Sequence, residues 1–237
     1  MNSQTLYARP VAQSSVEERL GFLQRVYGWM LGALVLCAVG AAVSIQYNLT
    51  ASLLQTGIMG WVLITVAWIG LAHVVQKVRH QSGINVLAFA AYALFTGFVV
   101  SGLVYVALLM GSMHGDSSQY VVQAFGLTAL TFGGLTAYAF VSKRDFSFLR
   151  GMLTVGVFAI LGLLILEFFI ESSILALGTS FLAVLVFGGF TLYDTQKIVR
   201  TYPANEHIAG AVTLFTNFVL LFMHILRILL ILASGRE

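Results

Sequence analysis

Seven apolar runs, joined by short connections that alternate between basic and uncharged by Lys or Arg, constrain this chain more than any other feature. The runs lie at about 26–46, 53–75, 84–111, 119–141, 148–170, 173–196 and 208–233. Each supplies the roughly 20 mainly apolar residues that carry a helix across a hydrocarbon core about 30 Å thick. A backbone in lipid must pair its own N–H and C=O groups, so such runs become helices. Composition agrees: 59% of residues are hydrophobic and 9% charged, where a soluble domain carries about 25% charged residues. Too little polar surface remains to cover a water-soluble globule. Disorder and a collagen-like fibre are excluded by the same numbers. One cysteine, Cys37, cannot form an internal disulfide. The expected fold class is an all-α integral membrane protein with seven transmembrane helices. Its expected organisation is a polar cytoplasmic N-terminal segment at 1–20, mobile or lying at the surface, and a seven-helix transmembrane domain at 21–237. The first run starts late and is long enough to span, which argues against a cleaved signal peptide.

The basic residues predict the orientation. Arg9, Arg19 and Arg25 precede the first span, and Lys77 and Arg79 lie between the second and third. Lys143, Arg144 and Arg150 lie between the fourth and fifth, and Lys197 and Arg200 between the sixth and seventh. These are ten of the twelve Lys and Arg residues. The alternate connections, around Tyr47, His114 and Glu171, contain none. Lys and Arg are retained on the cytoplasmic side, so the N terminus is expected inside and the C terminus outside. Tyr27, Tyr138 and Tyr193 fall near the inner boundary, and Tyr47 and Tyr120 near the outer one, as an aromatic belt would.

Glycine is abundant, at 23 residues. Lipid provides no hydrophobic drive between helices, so small residues that allow close approach do that work. Gly97 and Ser101 form one small-xxx-small pair, and Gly133, Gly134, Gly188 and Gly189 offer further flat surface for packing. Ionisable groups inside a span are costly and face the protein interior. Asp194 is the sharpest case, near the inner end of the sixth span and beside Lys197. From its position alone, a functional carboxylate and an interfacial one reaching water weigh equally. The seventh span carries a polar stripe of Thr213, Asn217 and His224, which share one sector at 3.6 residues per turn. That stripe serves either interhelical hydrogen bonding or a wet cavity. Arg227 lies a quarter-turn away and further out. Snorkelling to the outer surface is its simplest account, with an ion pair to Glu167 or Glu171 as the alternative. Arg79 is placed at the cytoplasmic end of the second span, at the depth of Asp194. Topology allows Arg79, Asp194 and Asn217 to meet in the inner half of the bundle.

Other chemistry finds little support. The five histidines, His73 and His207 among them, are scattered, and no HExxH pair indicates a metalloprotease. No phosphate-binding loop is present, no serine or cysteine has an evident base, and the last span lacks a lysine for a retinal Schiff base. Paired broken helices of the kind transporters use are absent, which ranks a proton-coupled transporter last among membrane functions. An enzyme is less expected still, and neither a cofactor nor a nucleic-acid partner is expected.

Four short motifs point further. They are Val26-Tyr27-Gly28-Trp29-Met30, Lys143-Arg144-Asp145-Phe146-Ser147-Phe148-Leu149, Tyr193-Asp194-Thr195-Gln196-Lys197-Ile198, and Leu214-Phe215-Thr216-Asn217-Phe218 followed by Leu226-Arg227-Ile228-Leu229. In this order and on seven spans, the chain resembles the bacterial branch of the Bax inhibitor-1 (transmembrane Bax-inhibitor motif) family from about 26 to 232. The resemblance implies six helices wrapped around a central seventh and a pH-sensitive calcium leak. It implies a sensor of two aspartates in the sixth and seventh helices and an arginine latch at the cytoplasmic end of the second. Asp194 matches the first aspartate and Arg79 the latch. The second aspartate position, in a motif the family usually writes Leu-Tyr-Leu-Asp-Phe, is Asn217. Two close carboxylates share a proton, whereas an amide cannot titrate. The resemblance therefore implies a cation leak with a blunted pH response. Asp194 would be its cation-facing carboxylate and a calcium ligand, and calcium the transported ion rather than a cofactor. Some relatives also imply a second class: a non-conducting modulator of a membrane protease or of stress responses, acting through other membrane proteins. Membrane lipid is the expected surrounding in either case, in the plasma (inner) membrane of a bacterium. Glu17, Glu18 and Arg19 in the N-terminal segment would be a natural contact for a protein partner.

Overall fold

The computed structural model describes residues 10–55, 57–81, 83–113 and 115–235. Arg9, His114 and residues 1–9 of the polar N-terminal segment lie outside the described residues. The helices are α1 (Val16–Gln46), α2 (Leu49–Gln55), α3 (Gly57–Lys77), α4 (Ile84–Met113), α5 (Gln119–Val141), α6 (Leu149–Glu167), α7 (Ser173–Thr201) and α8 (His207–Ser234). Six of them, α1 and α4 to α8, are long and apolar enough to cross a membrane, and α3 contributes a shorter apolar stretch, Val62–Lys77. The seven expected spans are thus all helical.

Two spans depart from the hydropathy reading. Helix α1 begins ten residues before its apolar run. A capping box explains the early start: the Glu18 N–H donates to Ser15 Oγ and the Ser15 N–H to Glu18 Oε2, both at 3.2 Å, which satisfies two of the first turn's free donors. From Phe22 the helix then buries one face through Val26, Met30, Ala33, Cys37, Gly40, Ala41 and Ser44, a row at helical spacing. The second run is divided between α2 and α3, and Gly57 takes a φ of +62° at the break. That left-handed conformation, open to glycine without strain, interrupts the i to i−4 ladder. At about 1.5 Å per residue, α3 is still about 31 Å long.

The chain divides into two compact units. The first comprises the chain up to Tyr105 together with Ile198–Phe215. Here α1 and α4 meet backbone to backbone. A side chain at Gly97 would run into the Cys37 carbonyl, and one at Gly40 into the Leu94 carbonyl. The small-xxx-small pair is therefore a true crossing point, and Ser101, fully buried, accepts a hydrogen bond from Thr50 Oγ1 at 3.0 Å. Trp68 donates to Thr96 Oγ1 at 2.9 Å and stacks on Tyr92. Phe215 meets Tyr92 and Phe89 edge to face. The described part of the N-terminal segment, expected to be mobile or at the surface, is instead tied into this unit around Val11. Val11 is fully buried, its N–H donates to the Tyr202 carbonyl at 2.9 Å, and Pro10 pairs with Pro203.

The second unit comprises Val106–Lys197 and the chain from Thr216 on. Its core gathers Ala139, Phe146, Leu149, Leu153, Ile160, Ala183 and Val186. Gly188 and Gly189 pack against Leu135 and Leu153, whereas Gly133 and Gly134 face open space and make no close approach. Only the first of these two glycine pairs therefore packs as expected. Phe218 closes the unit against Phe125 and Phe132.

Candidate functional site

Within the second unit, α7 presents Asp194 to Asn217 of α8. The Asn217 Nδ2 donates to Asp194 Oδ2 at 2.8 Å. Measured along each helix, Asp194 lies about 10 Å before the end of α7 and Asn217 about 15 Å past the start of α8. The two helices are joined by the short connection 202–206, so the pair lies two to three turns inside the helix ends on that side. Asn217 is 6% exposed and Asp194 half-buried. A hydrogen bond to an ionised carboxylate contributes about 1.5–3 kcal/mol. An amide suits either state of the acid: its NH2 serves the carboxylate, and its carbonyl, after a flip, serves the neutral acid. One turn on, Lys197 acts electrostatically on Asp194 and lies 5.8 Å from the centre of the Tyr193 ring.

Gln196 fixes this end of α7. Its Oε1 accepts from the Phe146 N–H at 2.8 Å and its Nε2 donates to the Arg144 carbonyl at 2.7 Å. Two of the sequence motifs, 143–149 and 193–198, are therefore one structural unit, with Gln196 holding the turn before α6 against the helix that bears Asp194.

The polar stripe of α8 divides by role. Thr213 returns its hydroxyl to the Ala209 carbonyl at 3.0 Å, within its own helix. The His224 ring stacks on Phe187 at 5.8 Å, and its buried Nδ1 has no hydrogen-bond partner among the described residues. Neither joins the Asp194–Asn217 contact. Further along, Arg227 is paired with Glu167 at the end of α6. The side chains are 27% and 14% exposed, so the ion pair, not snorkelling, holds this guanidinium. Glu171 is exposed.

Arg79 belongs to the first unit. It sits in the turn after α3, two residues past the helix end at Lys77, rather than on the helix. Its Nη1 lies 3.7 Å from Glu206 Oε2, and His80 Nδ1 lies 3.5 Å from Glu206 Oε1. Arg79 Nε also donates to His80 Nε2 at 3.1 Å, and Asn85 Nδ2 donates to the Arg79 carbonyl at 3.1 Å. The structure thus brings Asp194 to Asn217 and gives Arg79 a carboxylate of its own, Glu206. Sequence reasoning passed over Glu206; its signal was a lone acid among helix-connecting residues on the basic side. Among the described residues no group of three or more His, Cys, Asp or Glu is placed to hold a metal ion. Calcium in a built site takes six to eight oxygens, and the Asp194–Asn217 pair offers one carboxylate and one amide.

The chain matches the family described as inhibitor of apoptosis-promoting Bax1 over residues 19–234. It is 30% identical over 238 residues to the inner membrane protein YbhL of Escherichia coli K12, covering 92% of this chain and 96% of that one. It is 29% identical over 227 residues to protein lifeguard 4 of Mus musculus, covering 94% and 90%. The Golgi anti-apoptotic protein of vaccinia virus strain Lister is similar to the same extent, 29% over 227 residues with 94% and 90% covered. With its membrane-spanning helices and a match that runs almost end to end, the chain belongs to the Bax inhibitor-1 family of integral membrane proteins.

Proposed function

We propose that this protein is a leak pathway for cations, calcium above all, through which ions pass the Asp194 carboxylate. The observation that carries the reading is the 2.8 Å contact from the buried Asn217 amide to Asp194. It leaves one carboxylate where the family pattern sets two. Asp194 attracts the cation, Asn217 holds it in orientation, and Arg79 is a latch on the basic side. A single carboxylate has no partner acid with which to share a proton, so flux depends only shallowly on pH. The arrangement of six helices around α8 is supported by the burial of α8, whose most apolar window is 50% buried, more than in the other five long helices. The placement of the N terminus in the cytoplasm and the C terminus outside is supported by the ten basic residues in alternate connections. The inner membrane is supported by the name of the E. coli relative. No enzymatic step and no resident cofactor are part of the proposal.

The test is calcium flux into liposomes holding the purified protein across about pH 6–8, where perturbed carboxylates titrate. Asn217→Asp is expected to steepen the pH profile and Asp194→Asn to lower flux throughout. Flux that Asp194→Asn leaves unchanged at every pH overturns the assignment. A second reading is favoured by the neutral Asn217, since binding a partner needs no titrating pair: a non-conducting modulator of a membrane protease or of stress responses. The name of the vaccinia relative, an anti-apoptotic protein, belongs to that class of function. No flux from the folded parent or either variant, together with a stable stoichiometric complex with another membrane protein, selects it.

A further inference from the structure

The cluster around Glu206 contains a histidine that the proposed leak does not use. Glu206 is 8% exposed in its side chain and is shared: Oε2 faces Arg79 at 3.7 Å and Oε1 faces His80 at 3.5 Å. The two cationic side chains also touch each other through the 3.1 Å hydrogen bond from Arg79 Nε to His80 Nε2. A guanidinium can only donate. His80 Nε2 must therefore be the bare nitrogen and Nδ1, which faces Glu206, the one with hydrogen. This triangle is complete only while the imidazole is neutral.

We propose that His80 is a positioning residue for Arg79 that releases it on protonation. A proton added at Nε2 removes the acceptor that Arg79 Nε uses and sets two cations 3.1 Å apart. The same proton makes the His80–Glu206 contact an ion pair, so His80 competes for the carboxylate while Arg79 keeps only its longer, 3.7 Å contact with Glu206 Oε2. The imidazole is the side chain whose charge ordinarily changes between about pH 5 and 8. The Asn85 bond to the Arg79 carbonyl holds the backbone of the turn in both states, so only the guanidinium moves. The charged groups next to the triangle along the chain are Lys77, two residues before Arg79 at the end of α3, and His207, which follows Glu206 at the start of α8 and on which Arg25 of α1 acts. His80 itself is 58% exposed in its side chain, open to protons from solution. The proposal rests on the leak reading only for its consequence, a latch loosened by acid.

Its test needs no flux. The purified protein in nanodiscs is treated with phenylglyoxal across about pH 5.5–8, and adducts are quantified by mass spectrometry as the ratio of Arg79 to exposed Arg150. Arg79 is 38% exposed in its side chain and open to the reagent. The ratio is expected to rise about two- to fivefold on acidification, the range for loss of an ion pair of ordinary exposed strength. His80→Gln keeps an acceptor for Arg79 and a donor for Glu206 but takes no proton, so its ratio stays low at every pH. His80→Lys only donates, so its ratio stays high. A flat ratio in the parent overturns the proposal. So does an undiminished rise in His80→Gln, which assigns the proton to Glu206, and so does a low ratio in His80→Lys. Because the readout is chemical, absence of flux leaves it intact, and its failure leaves the Asp194 reading untouched.

Discussion

Arg227 offers the sharpest energetic test of how this protein tolerates charge in the membrane. Its guanidinium is paired with Glu167, with 27% and 14% of the two side chains exposed. It sits seven residues before the end of α8 at Ser234, about 10 Å along the axis. Breaking a fully buried pair by removing one member costs about 3–5 kcal/mol, because a charge is left without compensation. Partial exposure reduces that figure, and we expect about 2–3 kcal/mol for Glu167→Leu or Arg227→Met alone. Replacing both, in Glu167→Leu/Arg227→Met, removes the stranded charge with the pair. Apolar replacements of similar volume are often neutral, so the double variant should lie within about 1 kcal/mol of the parent. The double-mutant cycle then yields a coupling of about 3 kcal/mol or more. The assay is unfolding by sodium dodecyl sulfate in mixed micelles, followed by far-UV circular dichroism. Arg227→Met costing less than about 0.5 kcal/mol, with no coupling, would show that the guanidinium already reaches water along its own stem. The reasoning from the pair would then fail.

Three further outcomes follow from particular contacts. Gly97→Ala should destabilise by about 1–3 kcal/mol in the same assay, since its new methyl meets the backbone of Cys37 and lies 2.8 Å from Ala41 N. Gly133→Ala, with nothing within 4 Å, should be neutral or stabilising by up to about 1 kcal/mol, and equal losses at both sites would refute the crossing argument. Gln196→Leu strands the buried Phe146 N–H and removes the amide that donates to the Arg144 carbonyl. It should cost about 2–4 kcal/mol, and Gln196→Glu less, because an acceptor for Phe146 remains. Asp116, in the turn after α4, is held below the ordinary carboxylate range by the Ser118 N–H and then by the Ser118 hydroxyl. Its contribution to stability is present above the ordinary carboxylate pKa and is lost as pH falls through the depressed value. Ser118→Ala removes the hydroxyl alone, so the Asp116 carboxyl should titrate higher than in the parent yet still below an unperturbed aspartate by 13C NMR; an unchanged titration would count against the hydroxyl's role.

How much of this was legible in the sequence depends on the range of the interaction. The spans were legible because hydrophobic length is a local property, and five of the seven expected runs begin within about two residues of their helices, the ordinary uncertainty of such ends. The early start of α1 was not, since a hydropathy count does not see the Ser15–Glu18 capping box. Nor was the break at Gly57, where one left-handed residue divides an unbroken apolar run. Asp194 and Asn217 could be paired beforehand because two motifs name them, and their hydrogen bond spans only 23 residues. Arg79 shows the opposite limit. The resemblance singles out Arg79, but the acid that faces it, Glu206, belongs to no motif and lies in a connection whose position depends on how α7 ends and α8 begins. A motif records which residue types recur, whereas an ion pair is selected by where two turns meet in space. That is why the cationic member of this pair was legible in the chain and its anionic and imidazole partners emerged only with the fold.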